Sequence, residues 1–369
     1  MRILQLISSA GFFGAENMVI TLSKELNKIG VTTYLGIFNN HRKPQREIVE
    51  RARKYNIPIK IFNCNGRLDM GAIYEIRKFL KQNNIDILHC HNYKSNFYGL
   101  LASSLLKIKR IATIHNWIRV DYKLKAYSVL DKFLIRKFAI LTVISEIVKN
   151  EIIKSGIKKE RLFFIDNGVD LESFSSKPDG PELKSELGII SPRQIAGSIG
   201  RLSEEKGHRY LLEAAHEVIK EIPDITFLII GCGPLEENLK SEAKRLNIDK
   251  NIIFTGFKKE IAKFLNIMDI FVLPSLIEAM PIALLEAMAC RKPIIATNVG
   301  SVSKLIKDNE TGALVNPGDA QGLAKAIIYL LKDKAKSRAM ADKAYELVKN
   351  EFSSAKMARN YLNIYRFPT

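Results

Sequence analysis

The sequence predicts an α/β protein built as two doubly wound domains. Three observations carry that prediction. At 369 residues the chain is long for a single hydrophobic core. Apolar runs of strand length alternate with segments of helical apolar period along most of it. The stretch 173–192 is rich in Ser, Pro, Gly and charge, as in Ser-Ser-Lys-Pro-Asp-Gly-Pro, and reads as a linker between two such alternations. The expected boundaries are therefore 1–172 for the first domain and 193–351 for the second. A C-terminal helix of about 352–369 is expected to return to the first.

Ile3, Leu4, Leu6 and Ile7 make the first strand. A loop with Gly11 and Gly14 leads into a helix whose apolar positions are 15, 18, 19, 22, 26 and 29, and Gly30 closes it. Strands follow at 31–38 and 59–62, a helix at about 71–82, a strand at 85–89 and a helix at about 95–106. Strands at 110–115 and 140–144 complete a domain of Rossmann type. Between these last two, Arg119 to Phe138 is basic, with apolar residues at 120, 124, 127, 130, 134 and 138. Such a helix packs on its own sheet or lies on an anionic membrane.

The second alternation has strands at 195–199, 225–230 and 252–254, with helices at 208–220 and 234–246. Its central stretch is 270–300. Ile270 to Leu273 is a four-residue apolar run, as a buried parallel strand should be. Pro274 and Ser275 stop it, and Glu278 lies in the loop that follows. Pro281 suits the first turn of a helix running through Leu284, Leu285, Ala287 and Met288, with Glu286 upon it. Ile294 to Ala296 is the next strand. Ligands bind at the ends of such strands, where a carboxylate can hold sugar hydroxyls and helix N–H groups can hold phosphate. The alternative is two solvated glutamates beside a core helix. Helices at about 320–332 and 338–365 end the chain, the last long enough to cross back to the first domain. No solenoid repeat or low-complexity segment interrupts the pattern.

With 47% hydrophobic and 26% charged residues the composition is that of an ordinary globular protein. Its charge is not ordinary. The formal net charge is +18, and residues 1–180 hold 30 Lys and Arg against 16 Asp and Glu, a net +14. A basic half suits an anionic partner such as a phospholipid surface, a phosphorylated lipid or nucleic acid. Cys64, Cys90, Cys232 and Cys290 form no metal-ligand spacing and are expected to be buried thiols in a reducing compartment. Ile3 to Ile7 is too short for a signal peptide, and no apolar run nears the ~18 residues of a spanning helix. The expected location is the cytoplasm, with membrane contact at most peripheral.

The chemistry concentrates at strand ends. Ser198 to His208 (Ser-Ile-Gly-Arg-Leu-Ser-Glu-Glu-Lys-Gly-His) follows a strand and opens a helix, with Gly200 and Gly207 allowing tight backbone. Arg201 and Lys206 on this loop are two cations of the kind a diphosphate needs when no metal neutralises it, unless the loop is merely a charged surface. Gly231-Cys-Gly-Pro is a glycine turn, and Glu236 stands where a dinucleotide fingerprint would need its third glycine, which disfavours nicotinamide or flavin. His91 and Asn92 end one strand of the first domain and His115 another. The two histidines face a ligand or are structural, and a zinc site lacks further ligands at suitable spacing. The absence of any Asp-x-Asp argues against a metal-clamped diphosphate.

Taken in order, these segments resemble the family 4 retaining glycosyltransferases of the GT-B fold. The likeness rests on Gly200-Arg-Leu…Lys206-Gly207, on Glu278-x7-Glu286, on the strand into Pro274-Ser275, on Glu286-Ala-Met-Ala, on Pro293-Ile-Ile-Ala-Thr-Asn-Val-Gly300 and on Thr311-Gly312. Gly14-Ala-Glu16, His89-x-His91-Asn92, Ser145 and Asn167-Gly168-Val169-Asp170 agree less specifically. The resemblance implies two Rossmann-like domains facing each other across a cleft, the second binding an activated nucleotide sugar and the first the acceptor. It gives Arg201 and Lys206 the diphosphate, in the loop of Gly200, and Glu286 the ribose hydroxyls. Glu278 would hold the donor sugar, with Ala279, Met280, Pro281 and Ile282 beside it. Backbone at Gly256 and Phe257 would contact the base, Gly14 the diphosphate and His115 the donor sugar, with His91 and Asn92 also lining the substrate. Transfer would retain anomeric configuration, with the leaving phosphate helping to deprotonate the acceptor and no enzyme nucleophile or metal.

Two residues depart from the family pattern. Ala279 stands where a glycine is usual, and a methyl there narrows the approach of sugar to backbone. The N-terminal glycines, usually adjacent, are split as Gly11-Phe-Phe-Gly14. The expected function is transfer from a nucleotide-diphosphate sugar, UDP-sugar before GDP-sugar, to a glycan or lipid-linked acceptor in bacterial surface-polysaccharide assembly (capsule, O-antigen or exopolysaccharide). Peripheral contact with an anionic membrane is expected, without nucleic acid or an obligate protein partner. The alternatives are a sugar-nucleotide epimerase or hydrolase of the same fold, or a non-catalytic protein binding anionic surfaces or nucleic acid.

Overall fold

The structure is a computed structural model that describes residues 1–8, 14–39, 46–65, 68–115, 131–144, 146–175, 180–189 and 193–368. Gly11, Ser145, positions 119–130 of the basic stretch, and 176–179 and 190–192 of the expected linker lie outside the described residues. The chain forms two compact units, Met1–Gly168 with Ser354–Thr369, and Val169–Ser353.

In the first unit seven strands form one parallel sheet. They are β1 (Arg2–Ile7), β2 (Thr32–Phe38), β3 (Ile59–Phe62), β4 (Ile87–Cys90), β5 (Lys109–Ile114), β6 (Ile140–Val143) and β7 (Leu162–Phe164), in the order β3-β2-β1-β4-β5-β6-β7. Ile3, Leu4, Leu6 and Ile7 are all fully buried, because helices cover both faces of the sheet. Their strands accordingly read as unbroken apolar runs. Leu4, Leu6 and Leu88 pack into one layer of core with Phe38, Phe62 and Tyr98; Ile3, Ile87 and Ile111 pack into another with Met18 and Leu22. That second layer takes in Met357, Ala358, Tyr361, Ile364 and Tyr365 from the helix Ser354–Arg366.

Six parallel strands form the second sheet: β8 (Ile195–Ile199), β9 (Thr226–Ile230), β10 (Ile252–Gly256), β11 (Ile270–Leu273), β12 (Ile294–Thr297) and β13 (Ala313–Val315). Their order is β10-β9-β8-β11-β12-β13. Winding reverses between β1 and β4 in one sheet and between β8 and β11 in the other. A doubly wound sheet opens its crevice at such a point, beyond the carboxyl ends of the strands. The loops after β8 and β11, and those after β1 and β4, are therefore the ones the fold presents to a ligand.

Several expectations change. The final helical stretch 338–365 is two helices, Lys334–Glu351 and Ser354–Arg366. Phe352 ends the first with φ −126°, and its carbonyl accepts from the Val169 N–H at 2.9 Å. Within the stretch read as linker, Phe174, Leu183 and Leu187 pack on the second unit's core, and helix Gly180–Glu186 belongs to that unit. Three or four apolar side chains suffice to dock so short a segment, too few to show a period. Helices Arg46–Lys54 and Glu146–Lys154 and the edge strands β7 and β13 escaped the sequence reading for the same reason. Cys64 and Cys90 are buried as expected, but Cys232 is exposed, since its glycine turn lies beyond the end of β9.

Candidate active site

In the second unit the loop after β8 is folded against its neighbours by close backbone contacts. Gly200 N–H donates to the Ile230 carbonyl at 3.0 Å, and Gly231 N–H donates to the Gly256 carbonyl at 3.0 Å, tying the ends of β8, β9 and β10 together. Gly231 has φ +140°, and a Cβ there would lie 1.8 Å from the Gly200 carbonyl oxygen. The glycine turn thus serves the Gly200 loop by close approach, which accounts for a glycine pair without a dinucleotide site. Gly207, at φ +64°, sits so near Pro274 that a Cβ would meet its carbonyl oxygen at 2.1 Å. Leu276 N–H donates to the Glu205 carbonyl at 2.8 Å, so the loops after β8 and β11 are locked together.

That lock brings the two halves of the sequence-predicted site into contact. Lys206 Nζ lies 2.6 Å from Glu278 Oε1, and Ser275 Oγ donates to the same oxygen at 2.7 Å. Glu278 is buried and Lys206 half-buried. A carboxylate removed from water needs a cation and a donor of this kind. Thr297 at the end of β12 donates its hydroxyl to the Ser275 carbonyl and so fixes the residue that fixes Glu278. Gly300, at φ +54°, would place a Cβ 1.8 Å from the Glu278 carbonyl oxygen. Arg201 is exposed on the same loop as Lys206, and Glu286 is half-buried on helix Ile282–Ala289. Pro281 is the N-cap of that helix, one position earlier than its sequence reading, and no side chain caps it. Ala279 and Ile282 are half-buried, whereas Met280 is buried in the hydrophobic core. Gly256 and the half-exposed Phe257 stand at the end of β10. His208 was not singled out by its chemistry: it is buried beside Lys206 with neither ring nitrogen hydrogen-bonded. Burial, with the Lys206 charge, lowers its pKa to about 4.

In the first unit His91 and His115 come together after β4 and β5. His115 Nε2 is 3.4 Å from His91 Nδ1, and His91 Nε2 is 2.7 Å from Gln5 Oε1. His91 is therefore a buried support with both ring nitrogens engaged, and His115, half-buried, is the outer member of the pair. Asn92 is committed to capping: its side chain accepts from Ser95 N–H at 3.1 Å in a capping box and donates to the Ser8 carbonyl. Gly14 is exposed at the start of helix Gly14–Lys28.

Known proteins decide what such a pair of units is. Residues 13–173 match the family described as Glycosyltransferase Family 4, and residues 179–347 match Glycosyl transferases group 1. The chain is 30% identical over 295 residues to UDP-Gal:alpha-D-GlcNAc-diphosphoundecaprenol alpha-1,3-galactosyltransferase of Escherichia coli, covering 77% of this chain and 76% of that one. This protein belongs to the family 4 glycosyltransferases. A second relative of the glycosyltransferase is N-acetyl-alpha-D-glucosaminyl L-malate synthase of Bacillus anthracis, 30% identical over 301 residues, 80% of this chain and 78% of that one. The fold of the present chain matches Anabaena HepE in complex with UDP and glucose with a TM-score of 0.85, at 21% identity and 99% coverage of both chains. The two-sheet architecture is that of the GT-B glycosyltransferases.

Sequence reasoning found the glycosyltransferase's charged loop residues but missed what holds them. Ser275 read as a strand stop and Thr297 lay just past the strand expected at 294–296, and nothing in their spacing announced a carboxylate partner. Gln5 and the tyrosines of the C-terminal helix are separated from the histidines they touch by tens to hundreds of residues, a distance over which no periodicity carries.

Proposed function

We propose that this glycosyltransferase takes its sugar from a nucleotide-diphosphate donor, a UDP-sugar before a GDP-sugar, and transfers it with retention to a glycan or lipid-linked acceptor. The observation that carries the reading is the Lys206–Glu278 contact of 2.6 Å at the β8/β11 switch point. An ammonium for phosphate and a carboxylate for sugar hydroxyls there stand side by side, as a sugar diphosphate presents those groups. When the donor enters, Lys206 turns part of its charge to the diphosphate and Arg201 adds a second cation, stabilising charge on the leaving group without a metal. Glu286 takes the ribose hydroxyls, the backbone at Gly256 and Phe257 takes the base, and the first turn of helix Ile282–Ala289 offers N–H groups to phosphate. His115 accepts a hydroxyl of the donor sugar. No residue is assigned as nucleophile; the departing phosphate takes the acceptor proton.

The preference for UDP is supported by HepE, solved with UDP and glucose, and by the Escherichia coli relative, whose donor is UDP-Gal. The latter's diphosphoundecaprenol acceptor supports a lipid-linked acceptor here, and the net +14 of residues 1–180 suits one held at an anionic membrane face. Among the described residues no helix is long and apolar enough to cross a membrane. The role that follows is in polysaccharide assembly.

A thermal-unfolding panel of UDP, GDP, ADP and their sugars, each with and without EDTA, tests the donor reading. A ligand at a hundredfold excess over its dissociation constant stabilises by about 2.7 kcal/mol. Stabilisation by one base, unchanged by EDTA, is expected. Stabilisation that vanishes with EDTA would contradict the metal-free site.

A further inference from the structure

Behind His115 lies a buried chain of polar groups that ends on the C-terminal helix. Gln5 Oε1 is 2.7 Å from His91 Nε2, and Gln5 Nε2 is 3.2 Å from the Tyr365 hydroxyl. That hydroxyl is also 2.8 Å from His89 Nδ1, and His89 Nε2 is 2.7 Å from Thr113 Oγ1. Gln5, His89, His91, Thr113 and Tyr365 are all at most 3% exposed, so each must satisfy its hydrogen bonds within the chain. Burial holds His89 to about 3 and His115 to about 4 and keeps His91 well below its ordinary value. Near neutral pH each ring is neutral and carries a single N–H.

One assignment of protons satisfies the whole chain. The amide orientation of Gln5 decides it, and the distances distinguish the two orientations. An N–H···O bond of 3.2 Å to Tyr365 and one of 2.7 Å from His91 lie within the usual range. The flipped amide would need an O–H···O bond as long as 3.2 Å, which lies outside the usual range. With Gln5 so placed, the Tyr365 proton goes to His89 Nδ1, and His89 Nε2–H donates to Thr113. His91 donates through Nε2 and accepts at Nδ1, so the 3.4 Å contact is a donation from His115 Nε2–H.

We propose that Gln5 and Tyr365 are positioning residues that hold His115 in its Nε2–H tautomer, so that Nδ1 is the acceptor it offers to a substrate hydroxyl. The C-terminal helix thereby does more than cover the first sheet: through Tyr365 it sets the polarity of a ring just beyond the end of β5. The inference rests on the role proposed above for His115, but the tautomer is measurable without any substrate.

The test is long-range 1H–15N NMR on the full chain labelled with ring-15N histidine. There are six histidines, and His115→Asn assigns one ring by its loss. His115 is expected to show a protonated Nε2 and a pyridine-type Nδ1. A protonated Nδ1 in the unmutated protein overturns the proposal, whatever sugar the enzyme transfers. Tyr365→Phe removes one oxygen, frees the Gln5 amide to turn, and should give His115 a mixture of tautomers. It should also lower kcat about fivefold with donor KM little changed, as one lost hydrogen bond in the transition state would. An unchanged His115 spectrum in folded Tyr365→Phe also overturns it. The expected tautomer in a protein that transfers no sugar would uphold the proposal and count against the proposed function instead.

Discussion

Gly300 and Gly188 adopt the same left-handed backbone, at φ +54° and +68°, but their surroundings differ. A Cβ at Gly188 meets nothing within 4 Å, whereas one at Gly300 would overlap the Glu278 carbonyl oxygen. Gly188→Ala should therefore cost only the conformational strain of about 1–2 kcal/mol and leave sugar transfer intact. Gly300→Ala should cost more and push the Glu278 segment out of place, reducing transfer at least tenfold. Denaturation midpoints and initial rates of the two variants check this, and equal rates would contradict it. At this scale the sequence showed which residue types carry charge at strand ends. It could not show that Ser275 and Lys206 share one oxygen of Glu278, since such contacts depend on the register of three strands. Nor could it tell Asn92, which caps a helix, from a ligand contact, because both uses favour the same residue type.

The helix Ser354–Arg366 depends on its element-scale contacts. Lys109 Nζ donates to the carbonyls of Ile364, Tyr365 and Phe367, a cation placed on the last turn of the helix where orphan carbonyls and the helix dipole favour it. Lys109→Met should destabilise the first unit by about 1–2 kcal/mol and quicken amide exchange in the turn around Tyr365 before the rest of the sheet. Exchange unchanged at that turn would contradict the capping role. Long elements with a clear period, such as Gly14–Lys28, His208–Glu221 and Ala320–Lys332, were legible within one or two residues. The apolar period of 338–365 runs on through the break at Phe352, which shows only in the expected boundary at 351; there the Phe352 carbonyl accepts from Val169, nearly two hundred residues away.

At the scale of the molecule, four histidines among the described residues are held neutral: His89 near 3, His115 and His208 near 4, and His91 well below its ordinary value. Above about pH 6.5 they are neutral whether the chain is folded or not, and pH has no hold on stability through them. Below it the unfolded chain takes up protons that the folded one refuses. Stability should then fall by up to about 1.4 kcal/mol per pH unit for each ring until the folded values are passed. Urea midpoints at pH 7 and pH 5 measure this, and equal midpoints would contradict it. The two-domain α/β architecture was legible because parallel strands buried on both faces announce themselves as apolar runs. The units exchange at 168 and 353, within a few residues of the expected ends at 172 and 351. The central claim is that the second unit binds a nucleoside diphosphate, with Arg201 on the diphosphate and Glu286 on the ribose. Calorimetric titration of UDP, then GDP, in EDTA into the unmutated protein and into Arg201→Ala and Glu286→Ala tests it most directly. The account predicts binding of one of the two, weakened about tenfold or more in both variants. Absence of binding by both nucleotides, or affinities unchanged by either substitution, would contradict it.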